Sequence, residues 1–173
     1  MEKQRPAWSA PIAVEDIPDT GLHIEIEAPV ETRAELAAVA GLRSLPRLTA
    51  AFDLVKNGAQ VDVKGTLSAT IGQTCVVTLD PIENEIEEAI DVSFAPAGSR
   101  GTERRKAVVE SPEPLVNGSI DLGALASEFL MLGIDPYPRK AGVQFAAPKT
   151  DDDSSHPFAA LEALKKRSTS KQS

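Results

Sequence analysis

The sequence predicts an α+β fold: a bent antiparallel sheet or partial β-barrel with one main packed helix and short N- and C-terminal helices. Three observations carry this. Apolar and polar residues alternate on both sides of "KNGA" (56–59), and a helical apolar stripe follows Asp121. The hydrophobic content of 42% is enough for a core, which must be aliphatic because the chain has one Trp, one Tyr and five Phe.

The elements follow in order. In "ETRAELAAVAGLRSL", Thr32 and Glu35 have the spacing of a capping box, and Leu36, Val39, Ala40 and Leu42 or Arg43 recur at helical spacing. This predicts a helix over 32–44 that ends before Pro46. Leu48, Ala50, Phe52 and Leu54 then share one strand face, and Asn57-Gly58 reads as a hairpin turn. The returning strand runs from Val61 and Val63 through Leu67, Ala69 and Ile71 toward Cys75, Val77 and Leu79. It keeps one face if Gly65 and Gly72 bend it without shifting register.

In "NEIEEAIDVSFAP", Ile86, Ile90, Val92 and Phe94 form the next apolar face. The alternating Glu85, Glu87 and Asp91 point to an acidic sheet face rather than a catalytic pair, since alternation predicts solvent instead of burial. Residues 98–110 lack periodicity and read as an exposed loop. "EPLVNGSID" supplies a short strand or turn, and Asp121 caps a helix with the stripe Leu122, Leu125, Ala126, Phe129 and Leu130, ending near Gly133. "DPYPRKAGVQFAAPKTDDDSS" reads as a linker. Pro157 opens a last short helix with Phe158, Leu161 and Leu164 on one face and Glu162 spaced to pair with Lys166. The expected organisation is a partly extended N-terminal segment (1–30), one α+β domain (31–140), a linker (141–156), and a C-terminal helix with a basic tail (157–173).

The formal charge of −8 argues against a surface that tracks nucleic acid throughout, and no DNA partner is expected. The charge is uneven. Six acids and no basic residue fall between Asp80 and Pro96, whereas "AGSRGTERRKAVV" carries four basic residues and the tail from His156 another four. The plain reading of such runs is a solvated surface; the sharper one is a basic loop and a basic tail that act as handles. A lone cysteine excludes a disulfide framework. No run is apolar enough to span a membrane and the N-terminus has no signal-like apolar core, so a cytoplasmic protein without a membrane partner is expected.

Chemical motifs are missing from the sequence. There is no phosphate-binding glycine loop, no H-E-x-x-H and no nucleophile elbow, and His23 and His156 lie far apart. Cys75 supplies one zinc ligand where a structural site takes four, and it reads as a buried structural residue. The sequence therefore predicts no catalytic residues, no metal and no cofactor.

The order of the pieces carries more information than any one of them. "TCVVTLDPIENEIEEAIDVSFAP" comes first, then Ile120-Asp121-Leu122 with Leu125 and Glu128, then Pro157 to Lys165 as P-F-A-x-L-x-x-L-K. From about Leu48 to Lys166 this resembles the YceD family, the large ribosomal RNA subunit accumulation proteins. The resemblance implies a non-enzymatic cytoplasmic factor supporting accumulation of large-subunit (23S) ribosomal RNA. Its expected partners are a large ribosomal subunit precursor, ribosomal RNA or a basic ribosomal protein. Many members carry Cys-x-x-Cys where this chain has Cys75-Val76-Val77-Thr78, so this chain cannot bind metal through that pair. Candidate contacts are the loop residues Arg100, Arg104, Arg105 and Lys106 and the tail residues Phe158, Leu161, Leu164, Lys165, Lys166 and Arg167. The strongly acidic sheet face would suit a basic ribosomal protein. A small-molecule or acyl-chain binding module is the alternative, suggested by the aliphatic sheet face and by the fatty-acid synthesis genes expected near members of the family.

Overall fold

The computed structural model describes residues 7–96 and 112–143. Its strands are β1 (Pro11–Ala13), β2 (Leu22–Glu27), β3 (Ser44–Asn57), β4 (Gln60–Thr74), β5 (Pro81–Ala95), β6 (Glu113–Pro114) and β7 (Ser119–Asp121). The helices are α1 (Val30–Val39) and α2 (Leu122–Gly133). Strands β2-β3-β4-β5-β6 form one open sheet, antiparallel except where β6 joins β5 in parallel, and β1 pairs with β7. The fold is α+β with an open sheet rather than a closed barrel.

The β3–β4 turn is Gly58-Ala59, one residue on from the expected Asn57-Gly58: Asn57 pairs with Gln60 across it, and Gly58 takes φ 65°. The register runs unbroken through Gly65 and Gly72, so Val61, Val63, Leu67, Ala69 and Ile71 share one buried face. Gly65 is needed there because a Cβ would strike the carbonyl oxygen of Ala51. At the start of β3 the buried residues are Leu45 and Leu48, three apart, where a regular strand needs two. A bulge between Ser44 and Arg47 absorbs the extra residue, and Pro46, which has no N–H to give the ladder, lies inside it.

Helix α1 departs from expectation at both ends. Its N-cap is Pro29, and no side chain caps it, so the spacing of Thr32 and Glu35 does not act as a capping box: both lie inside the helix. Gly41 at φ 66° closes it, with Gly41 N–H bonding to Ala38 and Leu42 N–H to Ala37. That paired arrangement terminates a helix well before Pro46. Leu36 and Ala37 are buried, while Val39, expected on the apolar stripe, is 75% exposed.

Helix α2 follows the prediction and lies across the apolar face of β4 and β5. Leu122, Leu125, Ala126 and Leu130 are buried, each leucine contributing about 2 kcal/mol by leaving water. Trp8 and Ile17 of the N-terminal segment fill the same core. The aliphatic face that suggested an acyl-chain site is thus covered by the chain's own side chains.

Asp121 explains why the I-D-L motif matters to the fold. Its Oδ1 accepts from the Gly123 and Ala124 N–H groups at the start of α2 and from Ala10 N–H at 2.8 Å. Its Oδ2 accepts from the Ser9 hydroxyl at 2.7 Å. Gly123 lets the N-terminal backbone lie against α2, since a Cβ would sit 3.0 Å from atoms of Trp8, Ser9 and Ala10. One carboxylate therefore caps the main helix and fastens the segment that delivers Trp8 to the core.

Candidate docking surface

The strand registers place the apolar side chains under α2 and leave the opposite sheet face uncovered by any described element. That face carries Glu25 and Glu27 from β2, Asp53 from β3, Asp62 from β4, and Glu83, Glu85, Glu87 and Asp91 from β5. Against these eight carboxylates stand Arg47, Lys64, His23 and, reaching Glu27 from α1 at 3.5 Å, Arg33. Arg47 pairs with Glu85 at 3.2 Å and Lys64 with Asp91 at 3.3 Å, exposed pairs worth under about 1 kcal/mol each. Glu83 and Glu87 have no ion-pair partner among the described residues. The alternation seen in Glu85, Glu87 and Asp91 thus continues across three more strands.

In the middle of this face is a trough of about 540 Å³. Its floor is made of small side chains, Thr49, Ala51, Thr66 and Ser68, and Glu25 and Glu27 stand at its rim. Such a surface accommodates the methylene stem of a Lys or Arg along the floor and its charged head at the rim. His23 Nδ1–H donates to Asp53 Oδ1, 2.7 Å away. The Asp53 hydrogen bond and charge, with a smaller contribution from Glu25, raise the His23 pKa above 6.5.

The β4–β5 hairpin ends in a turn that the sequence did not reveal. Cys75, Val77 and Leu79 were expected to prolong β4, but the strand stops at Thr74. Cys75 N–H bonds to the Asp80 carbonyl and Leu79 N–H to the Cys75 carbonyl, closing the turn. Leu79 takes φ 62°, a conformation that costs a non-glycine residue about 1 kcal/mol, and its side chain is 74% exposed.

Beneath that turn the Cys75 thiol is wholly buried. Its Sγ accepts from Thr78 N–H at 3.5 Å and from Lys140 N–H at 3.4 Å. The Thr78 hydroxyl, then the Lys140 and Thr78 N–H groups, lower the thiol pKa to about 6 against the opposing effect of burial. Lys140 belongs to a stretch whose composition reads as a linker, but its first residues, inside the expected 31–140 domain, are hydrogen-bonded into the fold. Residues 135–140 dock on the hairpin tip: Asp135 O accepts from the buried Gln73 amide, Pro138 O from Val76 N–H, and Lys140 Nζ meets Asp80 Oδ2 at 3.1 Å. Prolines 136 and 138 favour extended backbone, which lets the stretch run beside the turn.

The candidate contacts Arg100, Arg104, Arg105 and Lys106, and Phe158, Leu161, Leu164, Lys165, Lys166 and Arg167, lie outside the described residues, as does the expected C-terminal helix. By sequence, residues 98–110 hold four basic residues against two acids and residues 157–173 four against one, while the chain as a whole carries a formal −8. Among the described residues no cluster of three His, Cys, Asp or Glu is placed to hold a metal, and no helix is long and apolar enough to cross a membrane.

Fold and surface define a class: a sheet-and-helix module with one face packed and the other open, acidic and polar. The family model described as "Large ribosomal RNA subunit accumulation protein YceD" matches residues 63–165, and the chain belongs to that family. The match spans β4 from Val63, β5, the Cys75 turn, α2 and the whole P-F-A-x-L-x-x-L-K segment. Comparison with curated proteins and with solved structures gave no match. The family description assigns its members a role in large ribosomal RNA subunit accumulation.

Proposed function

We propose that this protein supports accumulation of the large-subunit ribosomal RNA, in the cytoplasm and without catalysing a reaction, by holding a basic protein of the large-subunit precursor on its open sheet face. The observation that carries this reading is the open sheet face, where eight carboxylates stand against Arg33, Arg47, Lys64 and His23. A folded surface of that sign attracts lysine- and arginine-rich protein and repels phosphate. Contact with ribosomal RNA then falls to the basic residues Arg100 to Lys106 and to the tail, where Phe158, Leu161 and Leu164 supply apolar side chains and Lys165, Lys166 and Arg167 the charge.

The test uses the full chain, immobilised, with two probes: RNA-free protein extracted from purified large ribosomal subunits, and protein-free large-subunit RNA. The wild type retains basic subunit proteins at low salt and releases them at moderate salt. The variant E25K/E83K/E87K, which shifts the face by +6, loses them. K165A/K166A/R167A retains less RNA and the same proteins. Equal protein retention by the wild type and the E25K/E83K/E87K variant would refute the reading.

A further inference from the structure

Strand β2 is an outer strand of the sheet: it pairs with β3 on one side and with no described element on the other. The register fixes which of its backbone groups are left over. Ala28 N–H donates to the Leu48 carbonyl, and this pair continues the β2–β3 register two residues on from Ile26 and Ala50. In an antiparallel pair the bonded residues come at every second position. Leu22, Ile24 and Ile26 therefore bond to β3, and the N–H and C=O groups of His23, Glu25 and Glu27 point to the open side. No described residue bonds to them there.

The same alternation sorts the side chains. His23, Glu25 and Glu27 are exposed on the acidic face, while Leu22, Ile24 and Ile26 lie on the apolar face. Their β3 partners on that face, Leu54, Phe52 and Ala50, are buried, yet these three are only half-buried. The apolar layer thus runs out to β2 and ends there, its flank uncovered by any described element.

We propose that the outer edge of β2 takes an extended segment of a basic protein as a sixth strand, with Lys or Arg beside His23, Glu25 and Glu27 and, at the positions between, apolar residues beside Leu22, Ile24 and Ile26. This rests on the proposed function and adds the conformation and residue pattern by which the partner is held. The free backbone groups supply the pairing, and the side chains choose the occupant. Glu25 has only the His23 imidazole, 3.7 Å away; Glu27 has Arg33 at 3.5 Å, and Asp53 accepts from His23. Three carboxylates against one arginine and one histidine leave the edge acidic. A basic residue opposite Glu25 or Glu27 would lie about 5 Å away between Cβ atoms, the range in which cross-strand pairs of opposite charge stabilise. A second copy of β2 fits less well, because the symmetric antiparallel pairing centred on Glu25 sets that carboxylate against itself. A nucleic-acid strand has neither the peptide groups to pair with the edge nor the right sign of charge.

The test uses the full chain and two synthetic peptides of equal composition, KVKVKVK and KKVVVKK. The alternating peptide is expected to bind about tenfold or more tightly at low salt and to slow hydrogen exchange at the His23, Glu25 and Glu27 amides, leaving Ile24 and Ile26 unchanged. In an antiparallel added strand the lysine N–H groups face β2, and in a parallel one the valine N–H groups do. N-methylation of the facing set should abolish binding while charge and pattern stay the same. In the protein, Glu25→Pro removes one outward N–H at an edge position that tolerates proline, and should bind KVKVKVK about tenfold or more weakly than Glu25→Gln. Equal binding of the two peptides, or undiminished binding of both methylated forms, would overturn the proposal whether or not Glu25→Pro folds. Slow exchange at the three amides in the free protein would also overturn it, since another part of the chain or a second copy would then hold the edge, and sedimentation distinguishes the two. Retention of basic subunit proteins by the wild type without preference for KVKVKVK overturns the edge alone. Failure of the wild type to retain any basic protein overturns the proposed function and the edge with it.

Discussion

Replacing Asp121 by alanine should loosen two parts of the molecule at once. The carboxylate caps α2 through Gly123 and Ala124, and loss of a cap costs about 1 kcal/mol. It also accepts from Ala10 N–H and the Ser9 hydroxyl, and hydrogen bonds to a charged acceptor contribute about 1.5 kcal/mol each at the low end that suits a partly exposed site. Together D121A should destabilise by about 3–4 kcal/mol. At about 4 °C per kcal/mol for a domain of this size, the melting temperature should fall by about 12–16 °C. D121N keeps an equally good capping oxygen but weakens the grip on Ser9, and should lose about a third as much. Trp8, the chain's one tryptophan and 5% exposed, gives the assay its second signal. Its emission should shift to the red in D121A well below the temperature at which helical circular dichroism is lost, because the N-terminal segment is the first part released. A melting temperature within about 3 °C of the wild type, or a Trp8 signal that moves only with global unfolding, would refute the clasp.

Two titrations follow from the same geometry. The His23 pKa is raised by Asp53, so the pair stabilises the fold fully below about pH 6.5 and the contribution is lost as pH rises through the higher folded value; in D53N the imidazole resonances should titrate at lower pH than in the wild type. For Cys75 the sign is opposite. A thiol lowered from 9.0 to about 6 contributes stability that is complete above pH 9 and lost as pH falls through about 6. Denaturant melts at pH 5.5 and 8.5 should show a larger gain on going alkaline in the wild type than in C75S, and equal gains would remove the thiolate from the turn.

What was legible in the sequence had a strong local signal. The β3–β4 hairpin, the alternation from Leu48 to Ile71, and the Asp121-capped stripe of α2 each have a signal over neighbouring residues, and each appears in the fold, the hairpin turn one residue later than Asn57-Gly58. The misreadings occurred where two local signals competed. For α1 the capping-box spacing and Pro46 outweighed Gly41, whose positive φ closes the helix. At Cys75 the alternation of Cys75, Val77 and Leu79 mimicked a strand, because the turn places leucine where Gly or Asn would have announced it. The docking of 135–140 joins residues about 60 positions apart and has no local signature at all. The acidic face was half visible. Alternation in β5 gave Glu85, Glu87 and Asp91, but only the strand registers bring Glu25, Glu27 and Asp53 alongside them.

That distribution bears on how an acidic domain can serve ribosomal RNA. Neighbouring strands lie about 4.8 Å apart, so carboxylates on adjacent strands fall within the roughly 8 Å over which charges act at physiological salt. A phosphate about 6 Å from one carboxylate is opposed by about 0.7 kcal/mol in water, and over this face it would meet several at once. The repulsion grows with each added nucleotide, while the attraction for a lysine- or arginine-rich segment grows in the same way with the opposite sign. Salt weakens both effects together. Raising ionic strength should therefore release a basic protein from the face without making the face a better RNA site, and that asymmetry separates a protein-docking domain from a weak RNA binder.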